Sequence, residues 1–554
     1  MVIQDGGHTA QTMLRPQTKI HTKLEALVEQ LARYRPVLTG NPAQAVTGIS
    51  LNSKAVQPGD LYAAVAGARH HGADYINQAA EAGAVAVLTD DSGVARIPEG
   101  LPYIVVDDVR TALADAAALI YGNYGSASPI MYGVTGTNGK TTTTYFLNAL
   151  LAALEYTTGL IGTIETRING VATPSQFTTP EAPELHSLVA RMREAGVETM
   201  AMEVSSHAMD YRRAFGLRYQ VAGFTNLTQD HLDLHGSMDE YFNAKALLFQ
   251  PERSASQVIT LNGGAEPQWG QRLAAQCPGA VTLDLGPAAV VDTEETEATW
   301  AITECESAGL GYAFRLRHLS GFEVATRVGM PGKFNVANAA LAAVMVLTGH
   351  ERQDWERIAT VLADPKHAPF ESAVPGRMEV ICNEPTVIVD FAHNPDGLTQ
   401  ALEAVNRTKH TQNGQAGRTI VVFGATGDRD TAKRPLMGHI AAQHADVVII
   451  TDDDPHYEDP AEIRKPVLEA AQLQARQAAH APQVLEIAPR ADALAHAVQL
   501  ATTQDIILAA GRGHETHQDL AGQRFAIDDR HVLRQTLADQ GFVTTSPGSS
   551  QGTD

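Results

Sequence analysis

The chain has very little cysteine. Cys277, Cys305 and Cys382 are isolated, and no CxxC pair occurs. That composition argues against a disulfide framework or a cysteine zinc site, and it fits a reducing compartment. Long apolar runs are also missing. None approaches the roughly 18 residues of a membrane helix, and the first twenty residues lack the apolar centre of a signal peptide. Positive charge is scarce: 41 Lys and Arg stand against 63 Asp and Glu, a formal net charge of −22. This argues against nucleic acid as the main partner. A local basic pocket can still hold a small anion. The expectation is a cytoplasmic monomer that acts on small molecules, with no stable membrane insertion.

What the chain has is length and α/β alternation. At 554 residues it exceeds a single core, and three domains are the natural division. KLEALVEQLARYR reads as an amphipathic helix after a polar, aperiodic stretch, 1–21, expected to be a flexible extension. Short strand candidates follow (TGISLNS, LYAAVAG, AVAVLTD, PYIVVDD). YGNYGSASP (121–129) is linker-like. A second block holds MYGVTGT, TMAMEVSS, QVAGFTNL and QVITLN with helices between them. Residues 278–330 look β-rich and are expected to be an insertion, and PGKFNVANAALAAVMVL reads as a helix. After VPGRME a third block holds PTVIVDF, TIVVFGATG, DVVIITDDD, VLEIAP and DIILAAGRG. The tail TTSPGSSQGTD is low in complexity and expected to be disordered. Strands alternating with helices predict mostly parallel sheets, with ligands at the carboxyl ends of the strands.

The segment from Gly136 to Thr142, G-T-N-G-K-T-T, is the strongest local signal. It lies between an apolar strand candidate and an apolar-rich helix. Glycines let backbone N–H groups approach phosphate oxygens, and the new helix points its positive end at the same anion. Lys140 would place a point charge on the outer phosphates, and the Thr141 hydroxyl would ligate Mg²⁺. The strict phosphate-loop pattern needs a glycine where Val134 stands. Other strand ends are polar. MEVSSH offers Glu203 and His207; FTNLTQDHLDLHG offers Asp230, His231, Asp233 and His235. By spacing alone Glu203 reads equally as a helix cap or a metal ligand. His231 and His235 read as backbone-satisfied loop histidines, as Mg²⁺ ligands or as a zinc pair. Lys245, between apolar residues, reads first as a snorkelling surface lysine.

Taken together, GTNGKTT, the TTP of QFTTPEAP, MEVSSHA, FTNLTQDHLD, AKALLF, KFNVANAALA, VPGRME, DFAHNPDG, GATGDRDTAKRP and GRGHE stand in the order found in the Mur ligases. The resemblance spans about residues 45–535. It is greatest to the group that adds the third, diamino acid residue of the peptidoglycan stem. It implies a three-domain α/β enzyme: a UDP-sugar domain over 1–125, a central ATP-binding domain with a P-loop ATPase-like parallel sheet over 126–373, and a Rossmann-like amino-acid-binding domain over 374–554. It implies ATP and Mg²⁺, and an acyl phosphate formed on the D-Glu side chain of UDP-N-acetylmuramoyl-L-Ala-D-Glu. An incoming amine then converts it to an amide.

The resemblance also assigns roles. Gly136, Thr137, Asn138, Gly139, Lys140, Thr141 and Thr142 match the ATP loop. Asn335 and Asn338 match the adenine side, and Arg377 and Asp390 match nucleotide contacts from the closing domain. Thr141, Glu203 and His231 match metal-binding positions. Lys245 matches a lysine whose N-carboxylation makes it an oxygen ligand. Lys140, Lys245, Glu203 and His231 form the catalytic set. Leu51, Ser53, Ala68, Arg69 and His70 match the uridine-sugar site. Thr178, Thr179, Ser205, Tyr211 and Arg213 match contacts to the muramoyl-peptide. Arg429, Gly511 and Glu515 fall in the amino-acid site, with Asp453, Asp454, Pro455 and His456.

That last turn departs from the pattern of relatives that take meso-diaminopimelate, where Asn and Arg stand in place of Asp454 and His456. Histidine cannot reproduce the bidentate fork of arginine, and Asp454 adds negative charge. A side-chain ammonium, as in L-lysine, is therefore expected; L-ornithine and meso-diaminopimelate are the alternatives. Arg512 stands where many relatives have lysine. By its residues alone the turn is an acidic strand end before a helix capped by Asp459. A folylpolyglutamate synthetase would share the ATP loop but not residues 45–110. A catalytically silent UDP-sugar or ATP regulator would not need Lys140, Glu203, His231 and Lys245 together.

Overall fold

The computed structural model describes residues 14–67, 70–124, 129–175, 177–286, 298–407, 411–412 and 415–545. Among the described residues, three large sheets follow one another along the chain. The first has five strands in the order Val37–Thr39, Tyr103–Val105, Ala86–Thr89, Asp60–Ala63 and Gly48–Ser50. Only its first pair is antiparallel. The expected boundary at 121–129 falls partly on 125–128, outside the described residues.

The central sheet has eleven strands. Ile130–Thr135 lies between Thr199–Glu203 and Tyr219–Phe224, parallel to both. Three strands therefore end side by side, at Thr135, Glu203 and Phe224, and deliver their following residues to one edge. Almost every residue of these strands is buried, as in a parallel sheet covered on both faces. The helix Lys333–Thr348 is apolar nearly all round and lies buried beneath the sheet with the helix Lys140–Ala153. The β-rich stretch expected as an insertion instead extends this sheet. Val281–Asp284 and Trp300–Ala308 pair in parallel, and two antiparallel strands, Gly311–His318 and Glu323–Val328, finish that edge. Residues 287–297 lie outside the described residues.

The third sheet runs Glu379–Asn383, Thr386–Asp390, Ile506–Ala510, Thr419–Phe423, Val447–Ile450 and Gln483–Glu486, parallel except for its first pair. The helix Pro460–Gln477 begins where expected, with the Asp459 side chain accepting from the Ala461 N–H at 2.9 Å.

The described parts of the two terminal stretches, 14–21 and 544–545, are held in place, against the expectation for them. Residues 1–13 and 546–554 lie outside the described residues, but Arg15 pairs with fully buried Asp60 at 2.5 Å, and the backbone N–H groups of Gln17 and Thr18 donate to Glu194 at 2.9 and 2.8 Å. A buried carboxylate needs a cation, and this one recruits it from the terminal segment. Thr545 donates to the Ile381 carbonyl at 2.8 Å, which covers the edge strand. No described helix is long and apolar enough to cross a membrane.

Candidate functional site

The turn Gly136–Gly139 joins the strand Ile130–Thr135 to the helix Lys140–Ala153. Gly136 has φ +145° and Gly139 φ +89°. A Cβ on Gly136 would stand 1.8 Å from Thr225 Oγ1, and one on Gly139 2.3 Å from Asn338 Oδ1. Both positions demand glycine for backbone shape and for space. Lys140 curls back onto its own turn: its Nζ donates to the carbonyls of Thr137 at 2.8 Å and Gly136 at 3.0 Å. Burial pulls its pKa below the usual lysine value, against Glu203 and Asp230. A phosphate at the helix N-terminus would meet a cation with little hydration to lose.

Glu203 has no exposed surface. Its carboxylate accepts from the Thr163 N–H at 2.7 Å, Thr163 Oγ1 at 3.0 Å and Thr141 Oγ1 at 2.9 Å. The hydroxyl and carboxylate expected to share a metal thus lie together. His231 sits at φ +53° before the short helix Leu232–His235, its ring edge-on to His207 with centroids 4.9 Å apart. Burial drives His231 down to about 3 and His207 to about 4. Both imidazoles are neutral at physiological pH, the form that binds a metal. His235 Nε2 lies 3.0 Å from Ser206 Oγ. The Asp233 side chain lies outside the described residues.

Lys245 is 1% exposed, and its Nζ donates to the Gly136 carbonyl at 2.7 Å. Burial, reinforced by Lys140, holds it well below the usual lysine range. The snorkelling reading is thereby corrected: the helix Met238–Ala246 turns this lysine inward, under the phosphate turn.

The third unit reaches across. Arg377 lies over the Phe391 ring at 4.3 Å and points Nη2 at Thr141 Oγ1, 3.4 Å away. Asp390 serves its own neighbourhood, accepting from the N–H groups of Met378 at 2.7 Å and Ala392 at 2.8 Å. Asn335 is fully buried and donates to the Pro331 carbonyl at 2.7 Å. Asn338 in turn donates to Asn335 at 3.1 Å. A cleft of about 310 Å³ opens beside Asn338, between Phe334 and Gly264 on one side and Gln400 and Arg407 on the other. Its size and place suit a nucleobase next to the phosphate turn.

Of the remaining expected residues, Ala68 and Arg69 lie outside the described residues. His70 is exposed, Leu51 is partly buried, and Ser53 donates to Gln78 at 2.8 Å. Thr178 accepts from Thr163 at 3.0 Å, and Thr179 donates to the Glu203 carbonyl at 2.9 Å. Ser205 caps the helix Ser206–Asp210. Arg213 pairs with Glu181 at 2.8 Å beside exposed Tyr211. These five line the near side of the Glu203 strand end.

In the third unit, fully buried Arg512 gathers a carboxylate cluster. Its Nη1 lies 2.7 Å from Asp454, 3.4 Å from Asp453 and 3.6 Å from Glu515. A guanidinium at the centre makes this an ion-pair network rather than a metal cluster. Burial, and after it Asp453, pushes Glu515 up to about 8. The N–H of Asp519 also donates to Asp454 at 3.0 Å, so the hairpin His517–Ala526 is tied to the 453–456 turn. His456 takes φ +50°, with Nδ1 3.7 Å from Asp519. A Cβ at Gly511 would stand 2.8 Å from Asp453. Arg429 is exposed, and its charge helps to depress His207 in the central unit.

Sequence reasoning missed Thr163, and it quoted the segment holding Asn226 without giving that residue a role. It quoted the segment holding His393, Asn394 and Asp396 without giving them roles. The signal was present there, in a polar run after a buried strand. Thr163 carried no signal, because its partner lies 40 residues away.

Comparison with known proteins agrees with this arrangement. Residues 45–121 match the Mur ligase family catalytic domain, 134–346 the Mur ligase middle domain and 376–513 the Mur ligase glutamate ligase domain. The chain is 40% identical over 538 residues to a UDP-N-acetylmuramyl-tripeptide synthetase of Leifsonia xyli subsp. xyli, covering 96% of this chain and 99% of that one. It is 41% identical over 507 residues to a UDP-N-acetylmuramoyl-L-alanyl-D-glutamate–2,6-diaminopimelate ligase of Corynebacterium glutamicum, covering 90% and 93%. A solved structure of a ligase of that second name aligns with a TM-score of 0.63 at 27% identity, over 95% of this chain and all of that one.

Proposed function

The chain belongs to the Mur ligase family, and we propose that it adds a diamino acid to the D-Glu side chain of UDP-N-acetylmuramoyl-L-Ala-D-Glu in the cytoplasm, consuming ATP. One observation carries this reading. Lys140, Lys245, Glu203 and Arg377, drawn from two units, converge on Gly136 and Thr141, at the glycine turn and the first turn of the helix behind it.

A carboxylate is a poor acylating agent, so it must first be activated. The D-Glu carboxylate attacks the γ-phosphorus of ATP and ADP leaves. The amine of the diamino acid then displaces phosphate from the acyl phosphate and forms the amide. The first step brings two anions together. The N–H groups of the Gly136–Gly139 turn and the helix behind it hold the phosphates; Lys140 and Arg377 add positive charge where the transferring group sits. Thr141, Glu203, neutral His231 and an N-carboxylated Lys245 offer mostly hard oxygen donors, a set that fits Mg²⁺. The ion would neutralise charge on the transferring phosphoryl group. Burial disfavours the ammonium of Lys245 and so favours the amine form that can take up CO₂.

For the amino acid we favour L-lysine. Asp453, Asp454 and Glu515 surround one guanidinium, and His456 offers no fork for a second carboxylate. Leaving a substrate carboxylate unpaired there costs several kcal/mol, and each 1.4 kcal/mol is about tenfold in specificity. A preference of roughly 100-fold over meso-diaminopimelate is expected, with L-ornithine the nearest competitor. The second reading is meso-diaminopimelate itself. The Corynebacterium relative's name supports it, and Arg512 is the cation that would have to leave Asp454 for the substrate. Comparing kcat/KM for the three amino acids at saturating ATP and UDP-muramoyl-dipeptide decides between the two. Equal or better use of meso-diaminopimelate rejects lysine.

A further inference from the structure

Asn138 is held by two units at once. The central unit holds its backbone. The N–H donates to Asn226 Oδ1 at 3.0 Å, and the carbonyl accepts from Thr225 Oγ1 at 2.7 Å and Asn226 Nδ2 at 3.2 Å. The third unit holds its side chain. Nδ2 donates to Asp396 Oδ2 at 2.8 Å, and Oδ1 accepts from Asn394 Nδ2 at 3.1 Å. An amide is the side chain that can satisfy one donor and one acceptor in this way.

Asn394 and Asp396 open the helix Pro395–Arg407. Asn394 is 1% exposed. Its Oδ1 caps the helix by accepting from the Gly397 N–H at 2.8 Å, and its Nδ2 also lies 3.4 Å from Asp230 Oδ2. The Asp396 carboxylate accepts from Gln400 Nε2 at 3.0 Å as well. Further along, Gln400, Glu403 and Arg407 wall the cleft facing Asn338 and Phe334. The helix that closes the nucleotide cleft is therefore bolted, at its first turn, to the side chain of a phosphate-turn residue.

We propose that Asn394 and Asp396 are positioning residues for phosphoryl transfer, acting through Asn138 to make closure of the third unit and the working shape of the phosphate turn a single event. This rests on the ATP-dependent reading of the same turn. Both residues reach the turn through the Asn138 side chain, so their role is to set its geometry and not to supply binding charge. Their loss should fall on kcat and spare the KM for ATP.

The test uses the full chain with UDP-muramoyl-dipeptide, ATP, Mg²⁺ and the preferred diamino acid. Asp396→Ala removes the acceptor, and Asp396→Asn keeps one for Asn138 Nδ2. Asn394→Ser keeps a helix-capping oxygen but is too short to reach Asn138. Asp396→Ala and Asn394→Ser should lower kcat about 10- to 100-fold, the scale of a hydrogen bond to a charged or buried partner, with the KM for ATP within about threefold. Asp396→Asn should stay within about threefold of the parent. Hydrogen exchange on the same proteins, without substrates, should show the amides of 136–142 and 395–407 losing protection together in the two damaging variants. Parent-like kcat in them, equal damage from Asp396→Asn, or a rise in the KM for ATP alone overturns the proposal. If the parent itself releases no ADP with any amino acid, the functional reading fails. Hydrogen exchange then still decides the coupling, and independent loss of protection in the two segments refutes it.

Discussion

The Nζ of Lys245 lies 2.7 Å from the carbonyl oxygen of Gly136, with the Tyr241 ring 4.4 Å away and almost no solvent contact. A lysine so placed is costly as an ammonium, and burial with Lys140 nearby favours its neutral form. The proposed N-carboxylation of Lys245 needs that amine form.

Equilibrating the protein with ¹³C-bicarbonate should therefore give one carbamate carbon resonance that Lys245→Ala abolishes. Lys245→Arg, which keeps the wrong sign of charge, should retain under about 1% of turnover, a loss on the scale of the largest single electrostatic contributions to catalysis. A parent spectrum without that resonance, or an active arginine variant, contradicts the assignment.

The Arg15–Asp60 pair makes a separate prediction. Asp60 is fully buried and Arg15 nearly so. Arg15→Ala leaves a buried carboxylate uncompensated and should destabilise the first unit by about 3–5 kcal/mol. Urea unfolding followed by a probe in that unit checks this. A shift under about 1 kcal/mol would mean that water reaches Asp60 without the terminal segment.

His186 makes stability depend on pH. It is fully buried; Nε2 donates to the Phe215 carbonyl at 2.9 Å and Nδ1 accepts from Asn123 at 3.1 Å, the pattern of a neutral ring. Burial lowers its pKa from 6.5 to about 4. As pH falls, the unfolded chain takes up the proton first. This contribution, about 3 kcal/mol in all, is complete above pH ~6.5 and is lost as pH falls towards ~4. The urea midpoint should drop between pH 7 and pH 5, and His186→Gln should flatten the drop. An unchanged slope in the variant assigns the effect to other groups.

The amino-acid pocket can be re-aimed. Asp454→Asn with His456→Arg removes a carboxylate, releases Arg512 from its 2.7 Å partner and adds a fork. The ratio of kcat/KM for meso-diaminopimelate over L-lysine should rise at least about tenfold, a gain of about 1.4 kcal/mol. No movement would mean that this turn does not read the substrate side chain.

Much of this was legible in the sequence. Gly136 and Gly139 stand out because their conformations admit little else, and the three parallel blocks follow from apolar runs alternating with helical periods. Lys245 was legible only through resemblance, because spacing alone makes a lysine between apolar residues a surface group. Arg15 was not legible at all, since its partner lies 45 residues on. The hairpins Glu165–Pro174 and His517–Ala526 were missed because their strands are short and largely polar. The Asn138 contacts depend on how two units dock, which no local pattern encodes.

The most direct test is product formation. Purified protein given UDP-N-acetylmuramoyl-L-Ala-D-Glu, ATP, Mg²⁺ and L-lysine should release ADP and phosphate in step with a UDP-muramoyl-tripeptide whose new bond is an amide to the D-Glu side chain. Omitting either the dipeptide or the amino acid should stop tripeptide formation, and Lys140→Ala should remove most of it. ADP release that ignores the dipeptide, or no tripeptide with any diamino acid, would contradict the account.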